Sequence, residues 1–252
     1  MDLAQLKRMA AREGIPQAIV EKDYALSVVL SVLSQSPLCA GLVFKGGTAI
    51  KKIYFPQARF SEDLDFNAPA ITQAKARSEI QGLFEGKELH GIRFTATKHE
   101  KTSEGLRVFL KFNSFLQQPQ RVRFDFSLRE NAFLQPVEKQ VVDAYELGGF
   151  PLRVLALEEI LAEKVHAVFS RTAARDLYDV WFLLENNVRL DPALILKKLD
   201  YYHEKPDLPG LSLRLPNFKA KWDEDLRQFL RRVPDFELVF GKVLNRLKKE
   251  GL

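Results

Sequence analysis

Residues Phe44 to Phe66 read FKGGTAIKKIYFPQARFSEDLDF, and their order decides the fold. A brief apolar run, Gly41-Leu-Val-Phe44, has the composition of a buried strand and leads straight into Gly46-Gly47. Thr48 is a helix-capping residue type, and Ile50, Ile53 and Tyr54 then lie on one inner side of a short helix that Pro56 closes. From Phe60 to Asn67 the period changes to two. Ser61, Asp63 and Asp65 take one face of a strand while Leu64 and Phe66 take the other. The reading is strand, glycine turn, helix, strand.

That order carries chemistry. A phosphate chain needs backbone N–H donors, and a glycine pair at a helix start offers them with no Cβ in the way. Its reacting phosphorus needs a divalent metal, and two carboxylates two residues apart on a strand project side by side as hard oxygen ligands suited to Mg²⁺, or to Mn²⁺ in its place. The GK[ST] ending of a Walker A loop is absent. Lys45 and Arg59 flank the two halves as cations for phosphate, and Ser61 stands ready to bond a phosphate oxygen or orient Asp63. A third carboxylate would come from RVRFDFSL, residues 121 to 128, where Asp125 shares the polar side of an alternating strand with Arg121, Arg123 and Ser127. Asp63, Asp65 and Asp125 are therefore the expected metal ligands.

Working outward, residues 2 to 12 and 16 to 35 have helical patterns, separated by Gly14 and Pro16. The second helix contains Glu21-Lys22-Asp23-Tyr24, which by itself reads as a solvated face. A helix over 70 to 86 precedes strand-like runs at 91 to 97, 106 to 113 and 121 to 128. Their linkers hold Ser103, Gly105 and Pro119 and suggest an antiparallel meander. Another strand is expected near 138 to 143. Gly148-Gly149 with Pro151 marks the internal boundary, dividing the chain into 1 to 150 and 151 to 252. The second part reads as helices at 157–170, 173–186, 192–201, 218–232 and 235–248, with Tyr201 to Pro216 as a proline-bearing loop. The expected fold class is α+β, a mixed and largely antiparallel sheet flanked by helices and followed by a helical region.

Bulk properties agree with a folded enzyme. Of 252 residues, 46% are apolar and 28% charged, and nineteen Phe supply core material. No apolar run approaches the roughly 18 residues of a membrane span, and the N-terminus lacks a signal-peptide core. A single cysteine, Cys39, excludes an internal disulfide, so a cytoplasmic setting is expected. The formal charge of +5 suits a polyanionic partner. His90, His99, His166 and His203 have no metal-ligand spacing, and Trp181, Phe182 and Leu184 read as core.

Four stretches resemble the AbiEii family of nucleotidyltransferase toxins, within the polymerase-β-type superfamily. They are Glu21-Lys22-Asp23-Tyr24, FKGGTAIKKIY, RFSEDLDF and LALEEILAEKVHAVFSRTAARDLYDVWFLL. The resemblance implies transfer of a nucleoside monophosphate from an NTP to a hydroxyl. It places Gly46, Gly47, Thr48 and Ser61 on the phosphates, and Asp125 beside the acceptor. Lys164 and the Asp176/Asp179 pair match the family's downstream motifs, with Lys164 set against pyrophosphate charge. Asp179 is favoured over Asp176, and the pair is expected to form the second wall of the nucleotide cleft. The implied acceptor is the tRNA 3′ end, the implied outcome blocked translation, and the implied partner an antitoxin encoded nearby. Lys219, Lys221, Arg227, Arg231, Arg232, Lys242, Arg246, Lys248 and Lys249 make a basic tail suited to RNA. Two other readings stand beside it: NMP transfer to protein Ser, Thr or Tyr, and a non-catalytic binder that kept the fold.

Overall fold

A computed structural model covers the chain and describes every residue except 103, 104, 130 and 131. The linker position Ser103 lies outside the described residues. The chain forms two compact units, Met1–Leu155 and Ala156–Leu252.

The first unit opens with α1 (Leu3–Glu13), which Asp2 and Gln5 close in a reciprocal capping box and Gly14 stops in the left-handed region. Helix α2 (Gln17–Ser34) is buried along most of its length, Glu21 and Asp23 included. A short 3₁₀ turn, Pro37–Gly41, delivers the chain to β1 (Val43–Lys45). Helix α3 starts at Gly46 rather than at Thr48 and changes after Ala49 into a π turn, Ile50–Tyr54, closed by Phe55 N–H on Ile50 O. Strand β2 (Asp63–Asn67) follows. Thr48 is thus inside the helix, not its cap. Its hydroxyl donates to the Asp63 carbonyl at 2.5 Å, fastening α3 to the start of β2.

Helix α4 (Gln73–Phe84), β3 (Glu88–Leu89), β4 (Ile92–Lys101), β5 (Gly105–Asn113), β6 (Gln120–Ser127), β7 (Val137–Gln140) and β8 (Pro151–Val154) complete the unit. The eight strands form one sheet in the order β3-β4-β5-β6-β2-β1-β8-β7. The β4-β5-β6 meander is antiparallel, whereas β2 runs parallel to β6 and β1 parallel to β8. Pro151, read with the two glycines as the internal boundary, opens strand β8. In β8 the buried Leu152 and Val154 alternate with exposed Pro151 and Arg153, and a proline is tolerated as a first strand residue. For this reason the sheet unit extends past the glycines at 148 and 149, to Leu155.

One face of the sheet is aromatic. Phe44 lies 5.2 Å from Phe66, Phe66 stacks on Phe126 at 5.7 Å and Phe124 on Phe126 at 5.9 Å. Phe84 of α4 meets Phe94 and Phe124. All six rings are buried, and burying each contributes roughly 2 kcal/mol. This layer forces the alternate residues of β2 and β6 onto the opposite, polar face.

The second unit is helical: α5 (Leu157–Ser170), α6 (Ala174–Glu185), α7 (Pro192–Tyr201), α8 (Leu208–Leu213), α9 (Leu215–Arg227) and α10 (Phe236–Lys249). Helix α8 occupies the expected proline loop. Asp207 caps it by accepting from Gly210 N–H, and Pro209 and Pro216 sit in the first turns of α8 and α9, where no N–H is lost. Among the described residues no helix is long and apolar enough to cross a membrane.

Candidate active site on the polar face of the sheet

Strand register brings the acids together. Asp65 pairs with Asp125 across the β2–β6 ladder, and Asp63 pairs with Arg123. The row through Asp65 continues to Lys45 on β1 and to Arg107 on β5. Lys45, Asp65, Asp125 and Arg107 thus stand abreast on four neighbouring strands, because residues paired across a sheet share a face. Asp63 lies two residues before Asp65 on the same side.

The glycines fit against this row. Gly46 has φ +78°, and a Cβ there would lie 2.2 Å from Asp65 Oδ2. The turn thus demands glycine twice over, for its backbone angle and for the carboxylate seated on it. A Cβ on Gly47 would lie 3.0 Å from both the Arg59 guanidinium and the Ser61 hydroxyl. Arg59 and Ser61 are buried, so a cation and a hydroxyl are packed against the start of the helix. Gly46, Gly47, Arg59, Ser61 and Asp65 form one contiguous cluster.

Arginines neutralise the acids. Arg123 donates from Nη2 to Asp63 Oδ2, and its Nε lies 2.8 Å from Asp125 Oδ2. Arg107 Nε donates to Asp125 Oδ1 at 2.7 Å, and that bond holds its guanidinium above the usual range. With Arg123 spanning two of the acids, no three His, Cys, Asp or Glu side chains are gathered around one point among the described residues. The donor chemistry, carboxylate oxygen, is the hard type that Mg²⁺ and Mn²⁺ take. Three hard carboxylates project from adjacent paired strands beside a glycine that leaves room for Asp65.

The tetrapeptide in α2 is not a solvated face. Glu21 accepts from Leu116 N–H at 2.8 Å and from Gln120 Nε2 at 2.7 Å, securing the β5–β6 turn. Lys22 pairs with Glu62 at 3.1 Å, between Ser61 and Asp63 in sequence. Asp23 pairs with Lys52 of the π turn at 2.9 Å and accepts from Tyr145 Oη at 2.6 Å. Burial and the Asp23 carboxylate hold the Tyr145 phenol well above its usual range, so it acts as a donor. Tyr24 donates to His90 O at 2.8 Å. Each residue ties α2 to a different element around the acids.

In the helical unit, Lys164 lies 2.8 Å from both Asp176 and Asp179, and Arg171 also lies 2.8 Å from Asp176. Burial alone would raise the Asp176 carboxyl, but Lys164 and Arg171 outweigh it and hold it down at about 2. The lysine and the two aspartates singled out in the sequence are one cluster, with α6 presenting both acids to α5.

A family profile described as nucleotidyl transferase AbiEii toxin, type IV TA system, matches residues 28–246. The chain belongs to the AbiEii nucleotidyltransferase toxin family. Its fold is that of MenT4, a nucleotidyltransferase toxin of Mycobacterium tuberculosis H37Rv. The likeness has a TM-score of 0.74 at 23% identity and covers 98% of this chain and 88% of that one. An antigenic nucleotidyltransferase-like protein of Paracoccidioides brasiliensis is similar at TM-score 0.43 and 15% identity, over 80% of this chain and 92% of that one. No curated protein matches. As a member of the AbiEii family the chain is a nucleotidyltransferase and the toxin half of a type IV system, which implies a cognate antitoxin.

In this AbiEii protein the pairing of Arg107 and Arg123 with the acids is what the sequence does not show. Arg123 had been placed on the polar face with Asp125, and its position two residues before the acid was the available signal. Among the histidines, His166 stacks on Tyr202 at 4.3 Å and pairs with Glu204 at 3.2 Å. Phe182 is buried in the core of the second unit, while Trp181 and Leu184 line a cavity of about 520 Å³ with Arg189, Lys242 and Arg246.

Proposed function

We propose that this nucleotidyltransferase moves a nucleoside monophosphate from an NTP to the 3′ hydroxyl of tRNA and thereby blocks translation. The observation that carries the reading is the paired register of Asp65 and Asp125, with Gly46 packed on Asp65 and Gly47 packed on Arg59 and Ser61. The acceptor oxygen forms a bond to the α-phosphorus as the bond to the β-phosphate oxygen breaks, and pyrophosphate leaves. Backbone N–H groups at Gly46 and Gly47, with Ser61 and Arg59, hold the phosphates. Lys45, next to Asp65 in the ladder, adds charge to that cradle. Thr48 holds α3 to β2 through the Asp63 carbonyl. Asp125 draws the proton of the acceptor hydroxyl. Asp63, Asp65 and Asp125 would hold Mg²⁺ or Mn²⁺, which when bound supplies Lewis-acid charge to the phosphoryl and attacking oxygens. Lys164, with Asp179 and Asp176 fixing its position, is assigned to phosphate charge on the family resemblance.

The test is transfer from each α-labelled NTP in the presence of total tRNA or of protein lysate. Label in tRNA is expected, and Asp65→Asn should lower it at least about a hundredfold while leaving the melting temperature unchanged or raised. Label in protein alone moves the acceptor to Ser, Thr or Tyr. No transfer with any NTP and either cation leaves a binder. The genomic neighbour is the place to look for the antitoxin.

A further inference from the structure

Arg123 does more than balance charge. A guanidinium placed between Asp63 and Asp125 occupies the positive side of the position that the carboxylates offer to a divalent cation. Its side chain is 37% exposed, so it can leave without opening the core. Arg107 Nε pairs with Asp125 Oδ1, whereas Arg123 Nε meets Asp125 Oδ2. Guanidinium also matches phosphate oxygens in a bidentate fork, which gives Arg123 somewhere to go when a triphosphate arrives. Carboxylates next to one another repel when both are ionised, so losing Arg123 leaves them seeking another cation.

We propose that Arg123 is an exchangeable counter-ion. In the nucleotide-free protein it closes the carboxylate site, and the polyphosphate of an incoming nucleotide draws it off, so that nucleotide and divalent cation bind cooperatively. This rests on the reading of Asp63, Asp65 and Asp125 as metal ligands. Its consequence is a protein that holds little divalent metal until a triphosphate is present.

The experiment measures Mn²⁺ binding to the full chain without turnover, by calorimetry or by the paramagnetic signal of free Mn²⁺. Inorganic tripolyphosphate serves as the probe, which removes any dependence on the base. The wild-type chain should bind Mn²⁺ at least about tenfold more tightly once tripolyphosphate is present, after correction for Mn²⁺–tripolyphosphate complexes. Arg123→Gln should bind Mn²⁺ alone at least about tenfold more tightly than wild type and should lose most of that coupling. Arg121→Gln is the control. Arg121 is on the same strand and face, but its guanidinium stacks on Phe109 instead of meeting the acids, so equal loss of charge should change affinity less than about threefold. Should Arg123→Gln fail to fold, Arg123→Lys retains the charge without the fork and should show a smaller effect in the same direction.

Unchanged Mn²⁺ affinity in the folded Arg123 variant overturns the proposal, as does an equal gain in Arg121→Gln. If Asp65→Asn still abolishes binding in those cases, the carboxylate reading stands and only the exchange falls. If neither the wild-type chain with tripolyphosphate nor the Arg123 variant binds Mn²⁺, the carboxylate reading fails and the exchange with it.

Discussion

Gly46 is the residue where backbone and chemistry meet most tightly. Its φ of +78° costs an L-residue roughly 1–2 kcal/mol. The added Cβ would also fall 2.2 Å from Asp65 Oδ2, a contact that only movement of the carboxylate can relieve. Gly46→Ala is therefore expected to lower transfer by more than its stability loss explains. At a temperature where the variant is fully folded, the rate should still fall at least about tenfold, because displacing a ligand by an ångström is costly to a positioned reaction. Purification yield, melting temperature and single-turnover rate on one preparation separate the two effects. A variant with normal rate and lowered melting temperature would show that the Asp65 position tolerates the shift. The glycine pair and the acid pair were both legible in the sequence, because a doubled glycine and a period of two are local signals. That Gly46 rather than Thr48 starts the helix was not legible. The left-handed angle and the Asp65 contact are tertiary, and Thr48 is free to bond Asp63 O only once β2 lies beside it.

At the scale of elements, α2 holds the active face together through buried charge. Asp23 and Lys52 are almost fully buried and 2.9 Å apart, and removing one partner strands the other. Lys52→Met should destabilise the first unit by about 3–5 kcal/mol. The double variant Asp23→Asn, Lys52→Met should recover much of that, since no unpaired charge remains, and urea unfolding followed by circular dichroism checks the order. The sequence made Glu21-Lys22-Asp23-Tyr24 look like a solvent face because the polar partners of its four side chains all lie at least 29 positions away. Helix α6 offers a second test. Asp176 is buried with its carboxyl held at about 2, down from 3.8. A depressed folded-state value contributes stability that is fully present above the unfolded value and lost as pH falls through the folded one. The contribution is about 2 kcal/mol, and the window runs from near pH 4 down to pH 2. Both tryptophans, Trp181 and Trp222, lie in the second unit, so their fluorescence reports its unfolding alone. Lowering the pH from 5 to 2 should shift its urea midpoint downward, and Asp176→Asn should flatten that part of the shift.

For the whole molecule, the charge of +5 is a statement about partners rather than about fold. The basic tail read from the sequence is not uniform in the structure. Lys219 pairs with Glu237 at 2.6 Å, Lys242 with Glu185 at 2.7 Å and Arg246 with Glu250 at 3.1 Å. Among the described residues Arg231, Arg232, Lys248 and Lys249 are exposed and have no carboxylate at ion-pair distance. The distinction was invisible in the sequence, where all nine cations count equally, because pairing depends on how α9 and α10 place their acids. Binding a polyanion releases counterions from the nucleic acid in proportion to the cations that contact it, whereas a cation already held by a carboxylate must first give up that partner. If tRNA is the acceptor, its affinity should fall steeply between low and physiological salt. Arg231→Gln with Arg232→Gln should reduce the log–log slope by about 1–2, and Lys219→Gln should leave it within about 0.3 of wild type. Filter binding across a salt series measures both slopes. Equal effects from the paired and unpaired cations would mean that the surface ion pairs carry no weight in recognition. An unchanged slope in the double variant would move the RNA contact away from the segment between α9 and α10.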